Sequence, residues 1–350
     1  MGTGKITIKN KSAHIKEITY LMNLGSLIVI FMHALTADMN YSLTNRLPVI
    51  FSYNFFYSFI IPLFMFLSGM LFAHSQEGPS VFDYRGYVQK RFKRLILPYV
   101  FLSTLAFFPK AFFSEYAMRP IRLTVIDYIK SLLYPWDNPV ILFWFLPTLF
   151  MISLVMPFFY KISIGTNNNK RTLALTFLFL ILTLMRPVHL KLLNIEGVMY
   201  YFFYFWIGII FYANRFGENA LKVHPGKLCI GFLAVLLAIT YVSTYVFGQR
   251  VEMLRFLGAL CGIGMSFAFI HLFTNNKKRF MDWISGYSYQ IFLLHWFIQI
   301  PLRIGLYQIA SLPYAVVFLT MLAGGVILPV AISRLVETRI KPLKFILGIR

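Results

Sequence analysis

His33 closes the stretch YLMNLGSLIVIFMHAL (Tyr20 to Leu35), and His295 sits in the middle of YQIFLLHWF, both within segments apolar enough to cross a membrane. A charged group at the centre of a span is disfavoured by about 2.5 to 3.5 kcal/mol on insertion scales, so such a residue faces a polar cavity or a partner. One intramembrane histidine is explained equally well by a neutral ring hydrogen-bonded to a neighbouring helix. Two at mid-depth point to a polar cavity. A neutral imidazole can take a proton from a hydroxyl and hand it on, which makes His33 the first and His295 the second candidate for acid–base work. His271 falls near the inner end of its segment, where an interfacial position suffices. The carboxylates offer no firm mid-span competitor, since Asp38, Asp137 and Glu252 read as outer-surface residues.

A second cluster is basic. The stretch YVQKRFKRLILPY (Tyr87 to Tyr99) brings Lys90, Arg91, Lys93 and Arg94 to the mouth of a span. Arg91 and Arg94, three apart, share one face of an α-helix and can hold phosphates through forked hydrogen bonds. A topology signal or contact with anionic lipid is the competing explanation. Three further residues are candidate substrate contacts: Ser68 in PLFMFLSGMLF, Trp144 in FWFLPTL, and Tyr289 in the polar run Ser285, Tyr287, Ser288, Tyr289, Gln290 that leads to His295. An aromatic belt at the membrane surface accounts for Trp144 about as well.

The elements that must position these residues follow from composition. The 350 residues are 59% hydrophobic and 13% charged, with mean hydropathy +0.70, whereas soluble domains are about one quarter charged. A hydrocarbon core of roughly 30 Å takes about 20 helical residues. Runs of that kind place about ten spans: Ile18 to Leu35, Ile50 to Ala73, Arg94 to Phe113, Pro139 to Ile162, Thr172 to Met185, Val198 to Ala213, Leu228 to Phe247, Met253 to Phe273, Ile284 to Tyr307 and Pro313 to Ser333. The expected fold is an all-α integral membrane bundle, one domain over residues 1–350, with basic tails at about 1–17 and 334–350.

The net charge of +21 does not mark a nucleic-acid binder, because the basic residues alternate by loop. About two thirds of the 33 Lys and Arg fall on the side of the N-terminus, the bias of the positive-inside rule, so both termini are expected in the cytoplasm. The Lys-rich start and ALTA (Ala34 to Ala37) have the outline of a signal peptide. Asn23 and His33 interrupt its apolar region, so it is read as a retained span. Cys229 and Cys261 are too few and too far apart in sequence for a metal site or a disulfide framework. GALCGIG (Gly258 to Gly264) is read as a helix-packing notch rather than a phosphate loop.

Taken in order, a histidine late in the first span, PLFMFLSGMLF, KRFKRLILPY, FWFLPTLF and ISGYSYQIFLLHWFI ahead of a last span and a basic tail resemble the membrane-bound acyltransferase-3 family over nearly the whole chain. The opening is most similar to the intercellular-adhesin (poly-N-acetylglucosamine) O-succinyltransferase-like branch. The resemblance implies transfer of an acetyl or succinyl group from cytosolic acyl-CoA, a co-substrate rather than a tightly bound cofactor, to a hydroxyl of an exported cell-surface polysaccharide. It implies a multi-pass protein of the plasma membrane whose partners are lipid and extracellular glycan, with a polysaccharide synthase or a second copy of the chain as candidate protein partners. The family pattern pairs its first-span histidine, matched by His33, with an arginine eleven positions earlier, where this chain has Met22.

Two other classes stay open: an exporter of the polysaccharide, and a member of the family that kept the fold without catalysis. Against the exporter, no repeated halves and no paired broken helices are visible. The topology is tested by a reporter fused after Arg350, which should signal the cytoplasm. An extracellular signal would mean an odd number of spans, with Thr172 to Met185 the first to be reconsidered.

Overall fold

The computed structural model describes residues 3–35, 47–76, 82–112, 114, 120–187, 189–214, 221, 223–247, 251–273 and 279–349. Asp38 lies outside them. Among the described residues the regular elements are all helical. In chain order they are α1 (Thr3–Leu35), α2 (Leu47–Ser75), α3 (Tyr84–Arg91), α4 (Leu97–Phe112), α5 (Val125–Leu133), α6 (Phe145–Ile162), α7 (Asn169–Met185), α8 (Ile195–Asn214), α9 (Pro225–Tyr241), α10 (Glu252–Phe273), α11 (Arg279–Trp283), α12 (Ser288–Arg303), α13 (Tyr314–Arg339) and α14 (Lys341–Ile346). Eight stretches among the described residues are long and apolar enough to cross a membrane: Ile15–Leu35, Pro48–Ser75, Tyr84–Phe112, Ile141–Thr166, Leu192–Asn214, Pro225–Val246, Glu252–Leu272 and Tyr314–Arg339. The two other expected spans are helical as well. α7 has 17 residues, and α12 has 16 and continues through a π-turn, Ile304–Ile309.

The chain divides into two compact units, one of Met1–Ser75 with Gly208–Arg334 and the other of Gln76–Ile207 with Leu335–Arg350. In the first, α2 packs against α1, α9 and α10, and α1 packs also against α12. Close approach in lipid depends on small residues, because lipid tails are as apolar as the side chains they would replace. The expected notch in α10 works this way: a Cβ on Gly262 would collide with the Phe59 ring of α2. Gly25 of α1 does the same for Phe64, whose Cζ lies 2.8 Å from where its Cβ would stand.

The second unit differs from the sequence expectation in two places. The third span begins ten residues early, at Tyr84, because Asp83 caps α3 by accepting from the Gly86 N–H at 2.9 Å. Between α3 and α4 lies a π-turn, Phe92–Ile96, in which Leu97 N–H reaches Phe92 O. Pro98 explains it. Proline has no N–H to give the Arg94 carbonyl and its ring crowds that oxygen, so the turn before it widens. The long outer loop also holds a helix, α5, capped by Thr124 Oγ1 accepting from Asp127 N–H. Its apolar side chains Val125, Ile126, Ile129 and Leu133 are all exposed, which suits a short helix lying on a membrane surface.

Gly262→Val should lower unfolding stability in detergent by ~1–3 kcal/mol through overpacking against Phe59. Gly231→Ala, with nothing within 4 Å of its Cβ position, should be neutral or raise stability by ~0.5–1 kcal/mol. Equal effects would contradict the notch.

Candidate active site

Along one face of α1, at spacings of three and four residues, Tyr20, Asn23, Ser26, Ile30 and His33 meet α11, α12 and the turn between them. The Tyr20 hydroxyl donates to Asp282 Oδ1 at 2.6 Å. Asn23 Nδ2 donates to Met281 O at 3.1 Å, and Ser26 Oγ to Ser288 O at 3.1 Å. The direction then reverses, with Gln299 Nε2 donating to Ile30 O at 3.1 Å and to Met321 O of α13 at 3.3 Å. A polar group in hydrocarbon has no water to bond, so each of these side chains is bound to a partner helix or turn. Apolar residues fill the space around this seam, with Ile30, Ile284, Ile291, Val326 and Val330 forming one buried cluster.

The seam ends at the histidines. The His33 and His295 ring centroids are 5.5 Å apart with their planes inclined by 36°. His295 is fully buried, whereas His33 is only partly covered. His295 Nδ1 lies 3.0 Å from Ile291 O. A carbonyl only accepts, so Nδ1–H is the donor, and in the neutral ring Nε2 carries the lone pair. Nε2 has no hydrogen-bond partner among the described residues. The arrangement puts a partly covered histidine beside a sealed one whose tautomer is set by its own helix. His271, by contrast, is accounted for by Glu17, whose Oε1 lies 2.9 Å from its Nε2.

The other candidates are placed as follows. Tyr289 is half-buried in the first turn of α12, six residues and so about 9 Å of helical rise before His295. Ser68 is buried and donates its hydroxyl hydrogen to Phe64 O at 2.8 Å, within its own helix. Met22 lies on α1 eleven residues, or about 16 Å, before His33. The remaining three belong to the second unit. Arg91 ends α3 with its guanidinium carbon 5.2 Å from the Tyr87 ring centroid, and Arg94 lies in the π-turn. An i→i+5 turn rotates successive residues less than an α-turn, so the two are further apart around the axis than α spacing gives. Trp144 is 4% exposed in a 3-10 turn (Ile141–Trp144) and stacks with Trp136 (centroids 4.9 Å apart) and Tyr201 (5.6 Å). The more open ring of that stack is Trp136, whose Nε1–H donates to Asn194 Oδ1 at 2.8 Å.

Sequence reading missed Gln299 and Arg303. They are the fourth and eighth residues after His295, and that repeat of polar residues in an apolar segment was the available signal.

Compared with known proteins, residues 17–334 match the family model for the acyltransferase domain of acyltransferase family 3. No curated protein and no solved structure matches.

Gln299→Leu should lower unfolding stability by ~1–2 kcal/mol, the range for interhelical hydrogen bonds in model peptides. Ser68→Ala, which removes a bond within one helix, should change it much less. The opposite order in thermal unfolding would contradict the seam.

Proposed function

The chain belongs to the acyltransferase-3 family and is a multi-pass membrane acyltransferase, and from that premise we propose that it moves an acetyl or succinyl group from cytosolic acyl-CoA to a hydroxyl of an exported cell-surface polysaccharide. The acceptor reading rests on the resemblance to the poly-N-acetylglucosamine branch. Counting α7 and α12 with the eight long apolar stretches gives ten crossings, and the loop charge bias then puts both termini in the cytoplasm.

The observation that carries the reading is the pairing of His33, a partly covered residue, with the sealed His295, their ring centroids 5.5 Å apart. His33 takes the proton of the acceptor hydroxyl as its oxygen attacks the thioester carbonyl. The new C–O bond forms, the C–S bond breaks, and the imidazolium returns the proton to the departing thiolate. His295 contacts His33 rather than substrate and fixes the ring's position. Arg91 and Arg94 are assigned the phosphates of the donor, where forked, charge-assisted hydrogen bonds are strong. Tyr289, on the same helix as His295, is kept as a substrate contact. Ser68 is held by its own helix and Trp144 is covered by Trp136 and Tyr201, so a direct substrate contact is assigned to neither.

His33→Ala should lower ester formation, read by mass spectrometry of the glycan, by about 10² to 10⁴ while folded yield is retained. Unchanged transfer would end the assignment, and loss of folded protein would mark His33 as a packing residue. Arg91→Gln with Arg94→Gln should weaken acyl-CoA binding without affecting insertion. Normal affinity would leave the cluster as a topology signal.

A further inference from the structure

The loop between the third and fourth spans ends in YPWDNP (Tyr134 to Pro139), and this stretch builds a rigid cleft within the second unit. Pro135 opens a 3-10 turn, Pro135–Asp137, one residue after α5. Asn138 locks the turn in place. Its Nδ2 donates to Ser103 Oγ of α4 at 2.8 Å and to Ser131 O of α5 at 3.3 Å, while its Oδ1 accepts from Val140 N–H at 2.9 Å. α5 is tied to α4 in turn, by the Tyr99 hydroxyl donating to Leu132 O at 2.8 Å and by the Thr104 and Tyr128 hydroxyls 2.7 Å apart. The space these elements leave measures about 320 Å³, within the roughly 300 to 1,000 Å³ of small-molecule sites.

The lining combines an aromatic ring with charges of both signs. Trp136 lines the cleft and is 38% exposed. One face of its indole is stacked on Trp144 and its N–H is given to Asn194, so ring carbon is what it shows the cleft. Arg122 and Lys130 bring cations and Asp127 and Asp137 carboxylates, and among the described residues none of these four side chains forms an ion pair or a hydrogen bond. Lys110 adds a third cation, its Nζ donating to Pro139 O at 3.2 Å.

This lining selects the ligand class. A small anion is repelled by the two carboxylates and a metal cation by the three basic groups. A neutral polyol suits both signs, because a hydroxyl donates to a carboxylate and accepts from an ammonium or guanidinium. The C–H face of a sugar ring, being apolar, lies against indole carbon. With the N-terminus in the cytoplasm, the loop after the third span is outside, where an exported glycan is. We propose that this cleft is a docking site for the acceptor glycan, with a sugar ring on Trp136 and its hydroxyls bonded by Asp127, Asp137, Arg122 and Lys130. The inference rests on the acceptor reading above and adds the place where the polymer is held. A polymer offers many sugar units, so the unit docked here is distinct in role from the one acylated. Binding energy of that kind is the same in the ground state and the transition state, so it lowers the acceptor KM and leaves kcat alone.

The experiment measures binding of a neutral N-acetylglucosamine oligosaccharide to the full-length protein in lipid nanodiscs by equilibrium dialysis without acyl-CoA, and then acyl transfer to the same oligosaccharide. Trp136→Ala should weaken binding and raise the acceptor KM by about three- to tenfold. Asp127→Asn with Asp137→Asn should do so by about tenfold, the effect again falling on the acceptor KM rather than on kcat. The paired carboxylate change alters side chains with no partner among the described residues, so it carries the test if Trp136→Ala loses folded protein along with its Asn194 bond. Folded variants that bind the oligosaccharide like the wild type, or a wild type that does not bind it, would overturn the cleft, and acyl transfer that continues would leave the acyltransfer reading standing. Variants that lose retention of phosphatidylethanolamine instead of the oligosaccharide would make the cleft a lipid head-group site and overturn it as well. Oligosaccharide binding that depends on Trp136, with no ester formed from any acyl-CoA, would keep the cleft and remove the transfer reading.

Discussion

A polar group in hydrocarbon must find its partner within the protein, and in this chain that requirement is concentrated on one face of α1. Tyr20, Asn23, Ser26 and the Ile30 carbonyl each meet a group on α11, on α12 or in the turn between them, and the same face delivers His33 to within 5.5 Å of His295. Each such bond is modest, averaging about 0.6 kcal/mol in measured membrane cases. Their collective effect is register. With four fixed contacts below it, α1 cannot slide or rotate against α12 without breaking bonds that no water replaces. The histidine geometry is thus a consequence of the seam beneath it.

The seam explains which residues chemistry can use. His295 is held by Ile291 O and buried, and in the proposed reaction it presents a defined ring edge. His33 is the less covered of the two and is the ring proposed to meet the substrate. Asn23, next to the position where the family places an arginine, is engaged with the Met281 carbonyl and so serves the register. In the second unit the corresponding determinant is Pro98, whose missing N–H produces the π-turn that carries Arg94.

Much of this was legible in the sequence. Asn23 and His33 were marked as polar interruptions of an apolar span, and the spacing of Tyr20, Asn23, Ser26 and His33 along one helical face was there to be read but was not drawn from the sequence. The glycines around Gly262 read correctly as packing, since a phosphate loop has no place within a span. Other features needed the fold. Pro98 was visible in KRFKRLILPY, but its effect on the facing of Arg91 and Arg94 depends on the turn it widens. α5 was hidden because nine residues are too few for a span and lie in an otherwise polar loop. Trp144 looked like a platform, yet whether a tryptophan is open depends on its neighbours, and Trp136 and Tyr201 cover it. Arg303 escaped notice because charge near the end of a span is ordinarily read as an interface anchor.

The central claim is that His33 and His295 work as one unit, the first handling the proton and the second placing it. A double-mutant cycle on the rate of acyl transfer tests this most directly, with His33→Ala, His295→Ala and the pair measured in folded protein. Residues that act as a unit are non-additive. The account predicts that the double variant is no slower than His33→Ala alone, because a positioning residue has nothing left to position. Losses that multiply would show two independent roles and contradict it.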